Sequence, residues 1–253
     1  MACPNWQLSW PAALLALATA GATPALAQSP SQARIEVSAN VGAQTGARTF
    51  TASTTLPSNG AETETITTDH HVKTALEFSV GAAVKIVPQF WVGVQYAMAE
   101  MKPGASVTAV VPHPILFRAP RTVQGSIDNV THHEQNVHVD LMYVLPVHAV
   151  EVTAMGGPTF FSVKQDFVSG VTINETYPFD TATFASATRK RLSDTAVGFN
   201  VGVDISRLIS SNVGIGALVR YSRADVKVDD PTIGPQTVRA GGVEVAGGVR
   251  VRF

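Results

Sequence analysis

The stretch Thr237–Phe253, TVRAGGVEVAGGVRVRF, decides the fold of this chain. From Gly241 the odd positions read Gly241, Val243, Val245, Gly247, Val249, Val251 and Phe253, while the even ones read Gly242, Glu244, Ala246, Gly248, Arg250 and Arg252. Alternation at period two predicts a strand with one apolar and one polar face.

The same pattern recurs up the chain. Ile35, Val37, Ala39 and Val41 alternate with Glu36, Ser38, Asn40 and Gly42, and Leu76, Phe78, Val80, Val84 and Ile86 with Lys73, Glu77, Ser79 and Lys85. Further strands are predicted over Trp91–Ala99, from Val137 to Leu145, from Val150 to Phe161, from Val197 to Ile205 and from Val213 to Tyr221. With the last stretch this makes an even set of eight. Short turns fall near Pro88, Pro146 and Ser211. The other connections are long and polar: Arg48–Thr68, with Pro57 and Asn59-Gly60; Lys102–Asp128, with Pro103, Pro112, Pro114 and Pro120; Lys164–Thr188; and Asp229–Pro235. Their Thr, Ser, Gly and Pro content predicts irregular loops, and the prolines argue against regular sheet in the second of them.

Short turns at one end and long loops at the other predict an all-β, eight-stranded, antiparallel up-and-down transmembrane barrel. Apolar segments of about 9–11 residues suit a tilted membrane strand. Aromatic residues near strand ends (Phe90, Trp91, Tyr143, Phe160, Phe161, Tyr221 and Phe253) fit interfacial girdles. The polar face carries Glu36, Glu77, Lys85, Asp140, Glu151, Asp204, Arg220, Glu244 and Arg250. In a soluble, lipocalin-like barrel these would face an apolar core without compensation. In a membrane barrel they face the lumen, which at eight strands is just wide enough for side chains to fill. Arg220 and Arg250 are therefore expected to pair with Glu244, Glu151 and Asp204 in one network that plugs the lumen, with a narrow gated pore for small solutes or ions as the alternative.

The mature barrel is expected over residues 28–253. Ahead of it, the apolar run Leu8–Ala20 followed by Pro24-Ala25-Leu26-Ala27-Gln28 predicts a cleavable signal peptide over residues 1–27, although that segment contains no Lys or Arg. The single cysteine, Cys3, falls inside it, so disulfide, thiolate and cysteine–metal chemistry are excluded from the mature chain. A net charge of −1, from 18 basic and 19 acidic residues, gives no electrostatic case for nucleic acid.

The whole mature chain resembles the eight-stranded bacterial outer-membrane barrels of the OmpA/OmpX type, in its strand arrangement and in its terminal Phe253. That resemblance implies an outer-membrane location, contact with outer-membrane lipid, and delivery to the barrel-assembly machinery through the C-terminal strand with Phe253 as its signal. It also implies no periplasmic peptidoglycan-binding domain, since the chain stops at the barrel.

No catalytic residue, metal site or cofactor is expected. His70-His71, His132-His133 and His113 are read as polar residues of the loop rims. Adjacent histidines on a strand point to opposite faces, and two strands separated by a third lie roughly 10 Å apart. There is no His-x-Ser of the deacylase kind, and Asp229-Asp230 beside Pro231 reads as a turn. The reading is of a non-enzymatic protein with a structural or surface-interaction role, its long loops offering a place for an extracellular ligand. A lipid-modifying enzyme ranks third, after the pore.

Overall fold

The computed structural model describes residues 33–45, 48–57, 62–72 and 74–253; the signal peptide expected over 1–27, Asn59-Gly60 and Lys73 lie outside them. The described residues form twelve strands. Eight close a barrel: β1 (Ile35–Thr45), β4 (Ala75–Lys85), β5 (Phe90–Met101), β8 (His132–Val147), β9 (Val150–Glu175), β10 (Ala182–Leu208), β11 (Val213–Val228) and β12 (Gln236–Arg252). The final stretch closes it. β12 pairs antiparallel with β11 on one side and β1 on the other, Val37 opposite Val251 and Thr45 opposite Val243. Closure removes every sheet edge from the lipid, where an unpaired backbone group has no solvent to bond.

The exterior of the lower barrel is the apolar face expected. Phe78, Val80, Val94, Leu141, Val201, Val219 and Val245 all point outward and are exposed. Phe90 and Tyr143 touch at a ring-centroid distance of 5.0 Å on this surface, with Phe160 and Phe253 also exposed. Two expected girdle residues sit elsewhere: Trp91 and Phe161 are buried inside the barrel, each one step along its strand from an outward neighbour, Phe90 or Phe160.

The connections read as loops are the larger correction. β2 (Arg48–Pro57) and β3 (Thr63–Val72) pair antiparallel, and 105–127 form a hairpin of β6 (Ala105–Val111) and β7 (Arg121–Ile127). Together they make a four-stranded sheet in the order β2-β3-β6-β7. Threonine is β-branched and favours extended backbone, so a Thr-rich run can build strand as readily as loop. The prolines do not interrupt it, because Pro112, Pro114 and Pro120 fall in the turn between β6 and β7, and Pro103 between β5 and β6.

Lys164–Thr188 is likewise mostly strand, the upper parts of β9 and β10 joined by a turn over 176–181. β9 and β10 run 26 and 27 residues, more than twice what a membrane crossing needs, and their upper halves stand outside the bilayer. The four-stranded sheet packs on this extension through Ile66, Val107, Ala109 and Val168, with Leu56, Val111, Ile127, Val171, Phe184 and Ala187 around them. Gly125 of β7 makes room for it: a Cβ there would meet the Phe184 ring at 2.2 Å. The result is a β-sandwich cap on the barrel's loop side.

Candidate functional site

Each lumen charge owes its direction to strand alternation, and the lumen is filled in tiers. At the turn end, Arg252 Nε donates to Glu36 Oε2 at 2.6 Å and its Nη2 lies 2.5 Å from Glu151 Oε2. Its guanidinium sits 5.9 Å from the Trp91 ring centroid. Two residues back along β12, Arg250 pairs with Asp204 and donates to Asn40 Oδ1 at 2.5 Å. Ser79 links Asn40 and Gln95, at 3.2 and 2.7 Å.

Higher still, Arg220 is 1% exposed. It donates to Asp140 Oδ2 at 2.8 Å and to the Met155 sulfur at 3.1 Å, and lies 3.9 Å from Glu244, its cross-strand partner in the β11–β12 register. The Glu77 carboxyl meets that of Glu244. All nine charged positions expected at the lumen are on the inward face, Lys85 half-buried at the turn end. Their ion pairs fall into groups, with Glu151 going to Arg252 and not to Arg220 or Arg250, and Ser79, which meets both Asn40 and Glu244, joins the Arg250 group to the Arg220 group. Arg252 was absent from the expected network although it lies on the same even-numbered face as Arg250. The space left among these tiers is a cavity of about 40 Å³ lined by Glu36, Asn40, Asp140, Arg220 and Arg250 among others, room for roughly three waters.

Above the charges the inward face changes. His138 Nδ1 pairs with Thr159 Oγ1 at 2.8 Å. His132 Nε2 contacts Glu134 Oε1 at 2.7 Å and its Nδ1 contacts Gln165 Oε1 at 2.5 Å; Glu134 Oε2 accepts from Gln44 Nε2 at 3.0 Å and from the Gly241 amide at 3.2 Å. Burial works against the His132 cation, yet Glu134 and Gln165 hold its pKa above the ordinary histidine value. His132 and His70 are therefore core groups, not rim residues: both are buried, and the His70 ring meets Phe167 edge-on at 6.2 Å. Period-two counting places His132 and Glu134 on one face, but Gln165 and Gln44 come from other strands, and no sequence spacing reports that meeting.

Next comes an apolar core inside the barrel's upper end: Phe161, Val163 and Phe167 of β9, Ala224, Val226 and Val228 of β11, Val238 and Ala240 of β12, with Ile233 and with Ala52 of the cap. Gly241 stands at its lower border with φ +85°, where a Cβ would meet the Ser222 carbonyl oxygen at 2.3 Å. Beside the core, Asp230 Oδ1 accepts from the amides of Thr232 at 2.9 Å and Ile233 at 3.3 Å, the turn expected there, and its Oδ2 pairs with Lys190 at 2.7 Å.

No family model matches the sequence, and no curated protein does. Among solved structures the fold resembles Neisserial surface protein A, at 14% identity over 87% of this chain and 97% of that one, with a TM-score of 0.45. It also resembles OprG from Pseudomonas aeruginosa, at 11% identity, 87% and 96% coverage and a TM-score of 0.47. The outer membrane protease OmpT from Escherichia coli superposes at 10% identity over 91% of this chain and 99% of that one, with a TM-score of 0.50. At such identities a likeness speaks for fold alone. With its own closed ring of eight strands, its apolar exterior and its charged interior, the chain is an integral membrane barrel of the outer-membrane type, in the small OmpA/OmpX architecture.

Proposed function

We propose that this chain is a non-conducting, non-enzymatic outer-membrane barrel that carries a rigid β-sandwich on the cell surface for interaction with an extracellular partner. The observation that carries the reading is the double filling of the lumen. Tiers of paired charges occupy the membrane level, and the apolar core around Phe161, Phe167, Val226 and Val238 sits above them. An ion crossing the barrel would have to displace buried ion pairs and then enter a water-free layer, and both steps are costly. The strand ending at Phe253 is the part an assembly machinery would take up, since it closes the ring against β1.

Planar-bilayer recording of the refolded protein tests this. Silent bilayers are expected, together with a gel-mobility shift on boiling that reports a folded barrel. Steady unitary conductance that vanishes in Arg220→Ala or Glu244→Ala would replace this reading with a narrow pore.

A further inference from the structure

The far end of the cap exposes what the rest of the cap hides. The β6–β7 turn presents Ile115, Leu116 and Phe117 at 63, 54 and 64% exposure, and the β9–β10 turn presents Tyr177 at 82%. From Phe160 to Glu175, β9 carries this tip roughly 50 Å along the strand away from the apolar belt.

Buried polar side chains hold the tip in shape. Arg121 donates from Nη1 to Glu175 Oε2 at 2.6 Å and to the Phe179 carbonyl at 2.8 Å, and from Nη2 to the Pro112 carbonyl at 2.9 Å, so one guanidinium ties the two turns together. His113, also buried, accepts at Nδ1 from the amides of Ile115 at 3.1 Å and Leu116 at 3.0 Å. Arg118 takes φ 59°, a left-handed conformation uncommon outside glycine, and its amide donates to Glu62 Oε1 at 2.8 Å. These bonds fix the turns so that three consecutive large apolar side chains face water. A fold that places polar groups inside in order to hold apolar ones outside is prepared for an apolar environment.

We infer that this tip inserts into the surface of a phospholipid bilayer opposed to the membrane that holds the barrel; the inference rests on the surface-interaction reading above. The side chains project from two turn ends and do not line a groove, which suits a deformable lipid surface. Their chemistry is that of interfacial anchors: aliphatic and aromatic residues with an arginine beside them on one turn, and a tyrosine on the other. Of the acids nearby, Glu62 is engaged by the Arg118 amide and Glu175 by Arg121, while Asp180 stays exposed, 3.8 Å from His113. The Arg118 guanidinium stands 5.3 Å from the Phe117 ring centroid, placed to meet a lipid phosphate as the ring enters the acyl region.

The test is flotation of the full protein, held in nanodiscs, with phosphatidylcholine vesicles. Co-flotation is expected at both low and high salt, reduced about tenfold or more in the triple variant Ile115→Ser, Leu116→Ser, Phe117→Ser. The boiling shift of that variant must match the parent, so that a folding defect is not mistaken for lost docking. In a separate variant, Phe117→Trp, emission should move to the blue on addition of vesicles. Absence of parent flotation, unchanged flotation of the triple variant, or flotation that needs anionic lipid and disappears with salt would each overturn the inference. If protein of the same batch conducts ions when inserted in a planar bilayer, the non-conducting surface reading fails; if it is silent there and the nanodisc sample does not float, only the lipid-docking tip fails.

Discussion

Strand β11 passes through two solvents, and its two halves obey opposite rules. In the lower half Val213, Ile215 and Val219 point outward and are exposed, while Arg220 points inward and is buried. In the upper half Ala224, Val226 and Val228 point inward and are buried, while Asp225 and Lys227 point outward. The backbone never breaks step: the β11–β12 register runs without a shift from Val213 to Val228. What changes is which parity is apolar. β10 makes the same exchange between Ala196 and Val197, β9 between Phe160 and Phe161, and β12 between Ala240 and Val243. Lipid rewards apolar groups on the outside, water rewards them on the inside, and the level of the exchange marks the outer boundary of the bilayer.

Substitutions placed on either side of that level sharpen the comparison. The largest effect is expected above it. Phe161→Ala removes a ring that is 1% exposed from the upper core, and should cost about 3–5 kcal/mol. Urea unfolding in lipid vesicles measures the loss, and hydrogen exchange should locate it in the upper parts of β9, β11 and β12. A cost spread evenly down the barrel would mean that the two halves are one cooperative unit and not two solvated differently. Below the boundary, Val219→Lys puts a charge on the lipid face and should cost about 2–4 kcal/mol by the same unfolding measurement. Asp225→Val alters an outward position above the boundary and should change stability by less than about 0.5 kcal/mol. If Val219→Lys proved as mild as Asp225→Val, the apolar belt would not be lipid-facing.

The lower half was legible in the sequence because one rule holds through most of it, with Trp91, Met155 and Leu218 as apolar exceptions on the inward face. Val213 to Tyr221 and Val243 to Phe253 otherwise keep a single apolar parity, so the number of barrel strands, the short turns and the inward direction of all nine charges follow from counting by twos. The upper half was not, for two physical reasons. Once parity reverses, stretches such as Ser162–Phe167 break the outward-apolar rule and look like the end of a strand. Thr63–Val72 fails differently: its threonines are polar in composition but extended in backbone preference, and Ile66 is the apolar side chain it sends into the cap's core. The contacts that shape the sites are longer in range still. Gln44 with Glu134 and Arg121 with Glu175 join distant strands, and no local pattern predicts which polar residues meet.

A small effect that depends on pH is expected outside the boundary, at Asp166. Burial opposes its charge, but Arg191 donates to both carboxylate oxygens, at 2.7 and 3.1 Å, and the Thr131 amide donates at 3.0 Å, so the pKa falls below the ordinary aspartate value of 3.8. A carboxyl whose folded pKa is depressed adds stability above its unfolded pKa and loses it as the pH falls through the folded one. The contribution should therefore be fully present at neutral pH and fade below about pH 3.8. Arg191 is 59% exposed, and screening by water keeps the worth of the pair small. Asp166→Asn should lower stability at pH 7 only slightly and should flatten the acid limb of the stability profile relative to the parent. An unchanged acid limb would mean that Asp166 titrates as a free surface carboxyl, and that the strands just above the lipid are held together by the apolar core alone.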